Sequence, residues 1–306
     1  YIMNILILSA GGPTAHGAIK SLRDIDFDGK IVSVDSNPLS AGFYLSDSYY
    51  VIPKAFESGY IDELLQIVED ENIDLILPTS SNDIVTISEN SHLFDCQLFM
   101  SDYEAINICS DKLKFYEKCK DKFPLPKTSM DYHNIDYPLF AKPKEHSAGS
   151  RGISLCKTIH NVNCLNTNKY KYIYQEYLPG MEYTIDVLCD MDSNPLAIVP
   201  RERLQTKAGI SSKGRIVKNN FIEKSCFEIC KFLKLKGPLC LQMKEDINGN
   251  PKFVEINPRL GGSSYFATLA GINFLEIILD LVNGKKPIIN KPKPITILRY
   301  YNEVVI

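Results

Sequence analysis

Residues 252–259 read Lys-Phe-Val-Glu-Ile-Asn-Pro-Arg (KFVEINPR), and the architecture of the chain follows from how that segment folds. Alternation along a strand predicts Val254 and Ile256 on one face and Phe253, Glu255 and Asn257 on the other. Pro258 cannot donate to a ladder, so the strand stops just before Arg259. A carboxylate and an amide oxygen then lie side by side, hard ligands of the kind that hold Mg²⁺ together with substrate phosphates. Upstream, Gln242 lies in a second strand-like run, LCLQMKED, and Asn248-Gly249 separates the two. Asn-Gly is a hairpin turn signal, which predicts that the runs pair and that Gln242 comes beside Glu255. A polar strand end capped by a turn explains any one of these features. Three oxygen donors and an arginine on paired strands favour metal and phosphate.

Two further segments carry phosphate chemistry. Residues 140–153 (FAKPKEHSAGSRGI) deliver Lys142 on a strand that Pro143 ends. The small residues of 147–152 let backbone N–H groups approach a polyphosphate, with the lysine supplying a point charge. Taken alone, an ordinary Gly/Ser hairpin would look the same. Residues 174–187 (YQEYLPGMEYTIDV) run as a strand into Leu178-Pro179-Gly180 and resume at Glu182. Such a hinge frees the backbone of Glu176 and Leu178 for a purine edge and leaves Glu182 to accept from ribose hydroxyls.

Outward from these segments the chain divides in two. Residues 4–9, 30–34, 74–77 and 97–100 are short apolar runs bounded by turn formers, and residues 16–24 and 60–71 between them have helical spacing. That rhythm predicts a small parallel sheet with helices on both faces. After Cys109 come a charged helix (112–123) and β-segments at 139–142, 152–156, 172–177, 182–189, 196–200, 239–244 and 252–256. Helices at 222–233 and 274–282 complete a mixed α+β module. Residues 207–218 (KAGISSKGRIVK) read as a mobile loop, either merely solvated or covering a substrate through Lys207, Lys213 or Arg215. The segment 289–294 reads as an extended, proline-stiffened connector.

Gly11, Gly12 and Gly17 follow the first apolar run, and Asp35 ends the second, which invites a dinucleotide reading. The spacing opposes it: a G-x-G-x-x-G starting at Gly11 needs glycine where Pro13 and His16 stand. A tight strand-to-helix turn is the better account. No Walker A loop occurs.

Composition excludes other classes. Of the 306 residues 44% are hydrophobic and 23% charged, and 34 Lys+Arg against 37 Asp+Glu give a net charge of −3. No broad cationic face for nucleic acid or anionic lipid is implied, and the longest apolar runs are too short to span a membrane. Nine cysteines without a CxxC pair read as reduced core thiols rather than a disulfide framework or structural zinc. Met3 opens directly into an apolar strand-like run, so Tyr1-Ile2 read as appended residues. The expected setting is the cytoplasm, with no membrane and no nucleic-acid partner.

Taken in order, these motifs resemble the ATP-grasp superfamily, in particular its carbamoyl-phosphate-synthase-large-chain-like members, over almost the whole chain. EINPR followed by Gly261-Gly262 is the most specific part. The resemblance implies α/β plus α+β architecture: a Rossmann-like pre-ATP-grasp domain at 1–108 followed by a two-lobed ATP-grasp module. The small (lid) lobe would be 109–172, and the large lobe with a C-terminal tail 173–306. It implies ATP and one or two Mg²⁺ ions, with Mn²⁺ as a substitute. Lys112 and Lys142 would contact phosphates, and Ser147, Gly149, Ser150 and Arg151 would form the lid, with His146 beside them. Gln175, Glu176, Tyr177 and Leu178 would edge the adenine, and Glu182 would hold the ribose. Gln242, Glu255 and Asn257 would bind metal, Glu255 bridging two ions. Arg259, with Lys142, would stabilise the transferring phosphoryl group, while Arg201 and Arg203 would meet phosphate or the acyl substrate. Gln242 stands where many members carry a carboxylate, an amide familiar in the carbamoyl-phosphate-synthase-like branch.

The activity implied is a single-unit carboxylate–amine ligase acting on small-molecule acids and amines, with a homodimer admitted. A complete carbamoyl phosphate synthase large chain duplicates this unit, so carbamoyl phosphate is not the expected product. Substrate determinants are expected at 11–14 and 79–83 and near Arg201, Ser263 and Ser264. Two rivals stand beside this reading. A catalytically silent ATP-binding regulator predicts binding without ADP release, and a nicotinamide- or nucleotide-sugar-binding oxidoreductase predicts NAD binding.

Overall fold

A computed structural model of the chain describes residues 3–144 and 152–306. Of the expected lid, 147–152, all but Gly152 lie outside the described residues, among them Ser147, Gly149, Ser150 and Arg151, and so does His146. The chain opens as alternating strand and helix: β1 (Ile5–Ile7), α1 (Pro13–Arg23), β2 (Ile31–Asp35), β3 (Ser48–Val51), α2 (Tyr60–Asp70), β4 (Leu75–Leu77), α3 (Ser81–Glu89), β5 (Gln97–Leu98) and α4 (Tyr103–Ser110). The strands form a parallel sheet in the order β3-β2-β1-β4-β5. Its central strands are buried on both faces, which is why they read as unbroken apolar runs. β3 escaped the sequence reading because it is the sheet edge and turns Tyr49 and Val51 to solvent.

The small lobe follows: α5 (Lys112–Cys119), β6 (Thr128–Ser129), β7 (Leu139–Pro143), β8 (Ser154–Cys156), α6 (Ile159–Asn163) and β9 (Tyr172–Glu176). Its antiparallel sheet runs β6-β9-β7-β8. β9 pairs with β7 as far as Glu176, opposite Leu139, so this lobe runs past the boundary at 172 drawn from the sequence.

The large lobe comprises β10 (Glu182–Cys189), β11 (Pro195–Lys207), β12 (Ile210–Ile216), α7 (Asn220–Leu233), β13 (Gly237–Glu245), β14 (Pro251–Asn257), α8 (Tyr265–Leu269), α9 (Phe274–Val282) and β15 (Thr296–Leu298). Its antiparallel sheet has the order β14-β13-β10-β11-β12-β15. The segment expected as a mobile loop is therefore largely a strand. Ala208 (φ 49°) and Gly209 (φ 76°) make a tight turn, and β12 then pairs with both β11 and β15. Cross-strand pairing overrides the weak strand preference of its glycine and serines.

A second correction concerns strand parity. Gln242 lies opposite Glu255 as expected, but Met243 lies opposite Phe253, so Val254 is the extra residue of a β-bulge. The bulge turns Phe253 away from Glu255 into the core, where it is 0% exposed, and puts Val254 on the wall of the cleft described below.

The cores explain what is rigid. One apolar cluster runs from β1 and α1 of the N-terminal sheet to α8, α9 and Val199 of β11, so that domain and the large lobe share a single interior. A second lies between the other face of the large sheet and α7. The small lobe has its own core of Ile135, Leu139, Ala141, Cys156, Val162, Tyr172 and Tyr174. All nine cysteines are unbridged, and seven are buried. Among the described residues no helix is long and apolar enough to cross a membrane.

Candidate functional site

A cleft of about 1170 Å³ opens where the small lobe, the large sheet and the N-terminal domain meet. It brings together Lys112, Lys142, Glu182, Arg203, Gln242, Glu255, Asn257 and Arg259. Three local devices deliver them. Asp111 caps α5 by accepting from the backbone N–H of Leu113 and Lys114 (2.9 and 3.1 Å) and pairs with Lys144 at 3.1 Å, which ties Lys112 to the end of β7. The β13–β14 hairpin sets Gln242 against Glu255, with Asn257 opposite Cys240 one step deeper. Pro258 ends the strand, and Arg259 turns to donate to Ser81 Oγ from Nε (3.2 Å) and Nη2 (3.1 Å) and to Asn257 Oδ1 (3.3 Å).

Lys142 is 8% exposed and donates from Nζ to Gln175 Oε1 at 2.6 Å. Burial pushes its ammonium down to about 8; Glu255 and Glu182 hold it up, and Lys112 and Lys244 push it further down. These charges thus act on one another across the cleft. Lys244 was missed by sequence reasoning, although period-2 spacing from Gln242 along β13 could have found it. Ser81, the anchor of Arg259, falls within the segment 79–83 expected to carry substrate determinants, but nothing in the sequence pointed to its pairing with Arg259.

The remaining expected residues lie elsewhere than a simple contact map would put them. Gln175 is buried behind Lys142, its amide also donating to Thr128 Oγ1 at 3.0 Å, so its side chain positions the lysine rather than facing open space. Glu176 pairs with Lys252 of the large lobe (2.7 Å) and accepts from the Lys127 backbone (3.0 Å). The Tyr177 ring lies 5.5 Å from that of Phe140, and Leu178 is buried. Among the described residues the Leu178 backbone makes no hydrogen bond, and residues 175–178 are not among those that line the cleft. Glu182 accepts from Arg203 Nη1 at 2.6 Å, and the same guanidinium reaches Gln242 Oε1 at 3.5 Å and the Gly209 carbonyl at 2.7 Å.

Arg201 departs from its expected contact with phosphate or acyl group. It is 0% exposed, paired at 3.2 Å with the equally buried Asp186, and stacked 5.1 Å from the Phe266 ring. In the N-terminal domain the Asp35 carboxylate accepts from the backbone of Gly11 (2.7 Å) and Asn37 (2.9 Å), so it braces the glycine turn and does not stand out as a ribose acceptor.

Gln242, Glu255 and Asn257 are hard oxygen donors in neighbouring positions on one wall. No cluster of three His, Cys, Asp or Glu occurs among the described residues. The donor set therefore suits a divalent ion whose remaining ligands are phosphate oxygens and water, the usual habit of Mg²⁺.

Comparison with known proteins gives concordant matches. Residues 169–304 match the family described as ATP-grasp in the biosynthetic pathway with Ter operon. Residues 5–99 match the PylC-like N-terminal domain. The carbamoyl phosphate synthase large chain of Clostridium acetobutylicum is 21% identical over 301 residues, which cover 88% of this chain. That of Campylobacter jejuni is 24% identical and covers 83%. The chain spans only 27% and 26% of those relatives' lengths. Among solved structures, the ADP complex of purK, N5-carboxyaminoimidazole ribonucleotide synthetase, superposes with a TM-score of 0.74 at 15% identity, covering 92% of this chain and 78% of the other. Biotin carboxylase from Campylobacter jejuni in its β,γ-ATP complex gives 0.72 at 16%, with 94% and 72% covered. The L-amino acid ligase of Bacillus licheniformis gives 0.69 at 13%, with 92% and 74% covered.

Proposed function

We propose that the chain is an ATP-grasp protein, carboxylate–amine-ligase-like in its organisation, that activates a small carboxylate as an acylphosphate and joins it to an amine. The observation that carries this reading is the convergence of Lys142 and Glu255 on one cleft, from separate lobes. ATP is seated with its base at the hinge beside Leu178, its ribose on Glu182 and its phosphates between Lys112 and Lys142. Gln242, Glu255 and Asn257 would hold Mg²⁺, which supplies neutralisation of phosphate charge when bound.

A substrate carboxylate oxygen attacks the γ-phosphorus, the bond to the β,γ-bridging oxygen breaks, and ADP leaves. Arg259 and the buried Lys142 ammonium offset charge on the transferred group, electrostatic positioning being the main protein contribution to phosphoryl transfer. The amine then attacks the acyl carbon and expels phosphate, losing a proton as the amide forms. Arg203 joins the phosphate-facing set. Arg201 acts through structure, holding β10, β11 and α8 together beneath the site. The proposed units are 1–108 and the two lobes divided at the hinge, in a cytoplasmic setting.

The test is an ADP-release screen with Mg-ATP over paired libraries of carboxylates and amines. Active pairs should lose turnover in Glu255→Gln and Lys142→Ala. Unchanged turnover in both variants overturns the site, and ATP binding without ADP release for every pair overturns the ligase in favour of a silent binder.

A further inference from the structure

Three neighbouring strands of the small lobe carry a run of polar side chains up to the cleft. Lys142 of β7 donates from Nζ to Gln175 Oε1 of β9 at 2.6 Å, and Gln175 Nε2 donates to Thr128 Oγ1 of β6 at 3.0 Å. Thr128 Oγ1 donates in turn to the Pro126 carbonyl at 2.9 Å. The register sets Gln175 opposite both Thr128 and Phe140, and Lys142 lies two places on from Phe140, so the three side chains share one face of the sheet. All three are buried.

The direction of this run follows from what each group can do. An ammonium only donates, a carboxamide has an acceptor at one end and donors at the other, and a hydroxyl has a single hydrogen. Thr128 commits that hydrogen to Pro126 and so meets Gln175 as an acceptor, which turns the amide oxygen to Lys142. Reversing the amide would set two oxygens against each other at Thr128 and donors against a charged Lys142. A neutral amine, by contrast, has a lone pair and would accept from a reversed amide. Thr128 denies it that arrangement, so the run favours the charged lysine. Burial works the other way. Around the amine, Glu255 of β14 and Glu182 of β10 favour the charge, Lys112 of α5 and Lys244 of β13 oppose it, and the Phe140 ring lies 5.8 Å away. Among the described residues the hydrogen-bond acceptor of Lys142 Nζ is Gln175.

We propose that Thr128 is a positioning residue: by fixing the polarity of the Gln175 amide it keeps the buried Lys142 an ammonium, held ready for an anion in the cleft. That the anion is a phosphate of ATP rests on the function proposed above; the lock on the lysine does not. The amide matters as much as the hydroxyl. A carboxylate at 175 would also hold the ammonium but would neutralise it. An amide oriented by Thr128 offers a dipole and leaves the whole charge to the incoming anion.

The experiment titrates Lys142 directly, in the full chain without ligand, by NMR of lysine labelled with carbon-13 at Cε, the resonance being assigned by its loss in Lys142→Arg. Thr128→Val keeps the shape of the side chain and removes both of its hydrogen bonds. It should lower the Lys142 midpoint by at least about half a pH unit, roughly a threefold loss of proton affinity, and Thr128→Ser should restore it. Gln175→Met should lower the midpoint as well, and adding Thr128→Val to it should change nothing further. A residue that merely packs would leave the midpoint unmoved in the isosteric valine variant. An unmoved midpoint in Thr128→Val, or a full effect of that change in the Gln175→Met background, overturns the lock. Where the valine variant does not fold, Thr128→Ala carries the same test. ATP titrations of the same chains from about pH 6 to 9 separate the lock from the proposed function: the pH at which affinity begins to fall should move with the Lys142 midpoint. A moved midpoint with unmoved ATP affinity refutes the phosphate contact and leaves the lock standing. ADP release from acid–amine pairs with an unmoved midpoint does the reverse.

Discussion

Replacing Lys142 by methionine probes the charge arrangement of the cleft more directly than loss of activity does. Burial brings the ammonium from 10.5 to about 8 in the free chain. Phosphates beside it favour the charged form again, so ATP binding above pH 8 takes up a proton. With a bound-state value restored to about 10.5, Lys142 at pH 9 carries roughly a tenth of a proton before binding and nearly a whole one after, an uptake of about 0.9. Apparent ATP affinity should then be flat below pH 8 and fall about tenfold per pH unit from there toward 10.5. The same shift acts on folding with its own sign. The unfolded lysine holds its proton up to 10.5 and the folded one releases it near 8, so stability rises with pH across that window, by at most about 3 kcal/mol. Isothermal titration in buffers of different ionisation enthalpy measures the uptake, and denaturant melts from pH 7 to 10 measure the folding arm. Lys142→Met should abolish both pH dependences. A parent chain with no proton uptake at pH 9, or a methionine variant that retains it, refutes the reasoning.

Four further outcomes follow from particular contacts. Glu255→Gln should lower Mg-dependent ADP formation by roughly 10²–10³-fold, and Gln242→Glu should tighten Mn²⁺ binding to the ATP-loaded chain, as read by electron paramagnetic resonance titration. Phe253→Ala should cost about 3–5 kcal/mol in urea unfolding while Val254→Ala costs under about 1, because the bulge buries the first and puts the second on the cleft wall. Removing either partner of the buried Asp186–Arg201 pair should cost about 3–5 kcal/mol, and the double variant Asp186→Leu/Arg201→Met should recover much of it; equal losses for single and double variants would show that no buried charge had been stranded.

What the sequence made legible was local order and periodicity. The hairpin partner of Glu255 followed from an Asn-Gly turn and a count of residues, and the structure has Gln242 opposite it. The parallel sheet followed from short apolar runs set between helical ones, and α9 was read with its observed ends. What stayed hidden depends on pairing between distant segments. Nothing in KFVEIN announces that Val254 is an extra residue, since a bulge is a property of two strands in register. Strand β12 looks like a loop until β11 and β15 are laid on either side of it.

Arginines 201 and 203 show the same limit at the level of chemistry. Two places apart on β11, they share a sheet face and read alike in Pro-Arg-Glu-Arg, yet one is sealed against Asp186 and the other reaches Glu182 and Gln242. The difference is set by what stands over each. Phe266 of α8 covers Arg201, and placing a side chain at Gly214 would bring its Cβ within 2.9 Å of the Arg201 Cδ, so the neighbouring strand leaves just enough room for the buried arginine. Arg203 lies beyond that cover, at the cleft. A motif therefore supplies the pair of guanidinium groups, but the fold divides the work: one pairs with a buried acid and ties three elements together, and its neighbour is left at the cleft beside Glu182 and Gln242, where the proposed phosphates would lie. That division is why an alanine scan read by activity alone would score both arginines as essential, and why the folding measurement on the Asp186–Arg201 double variant is the one that separates them.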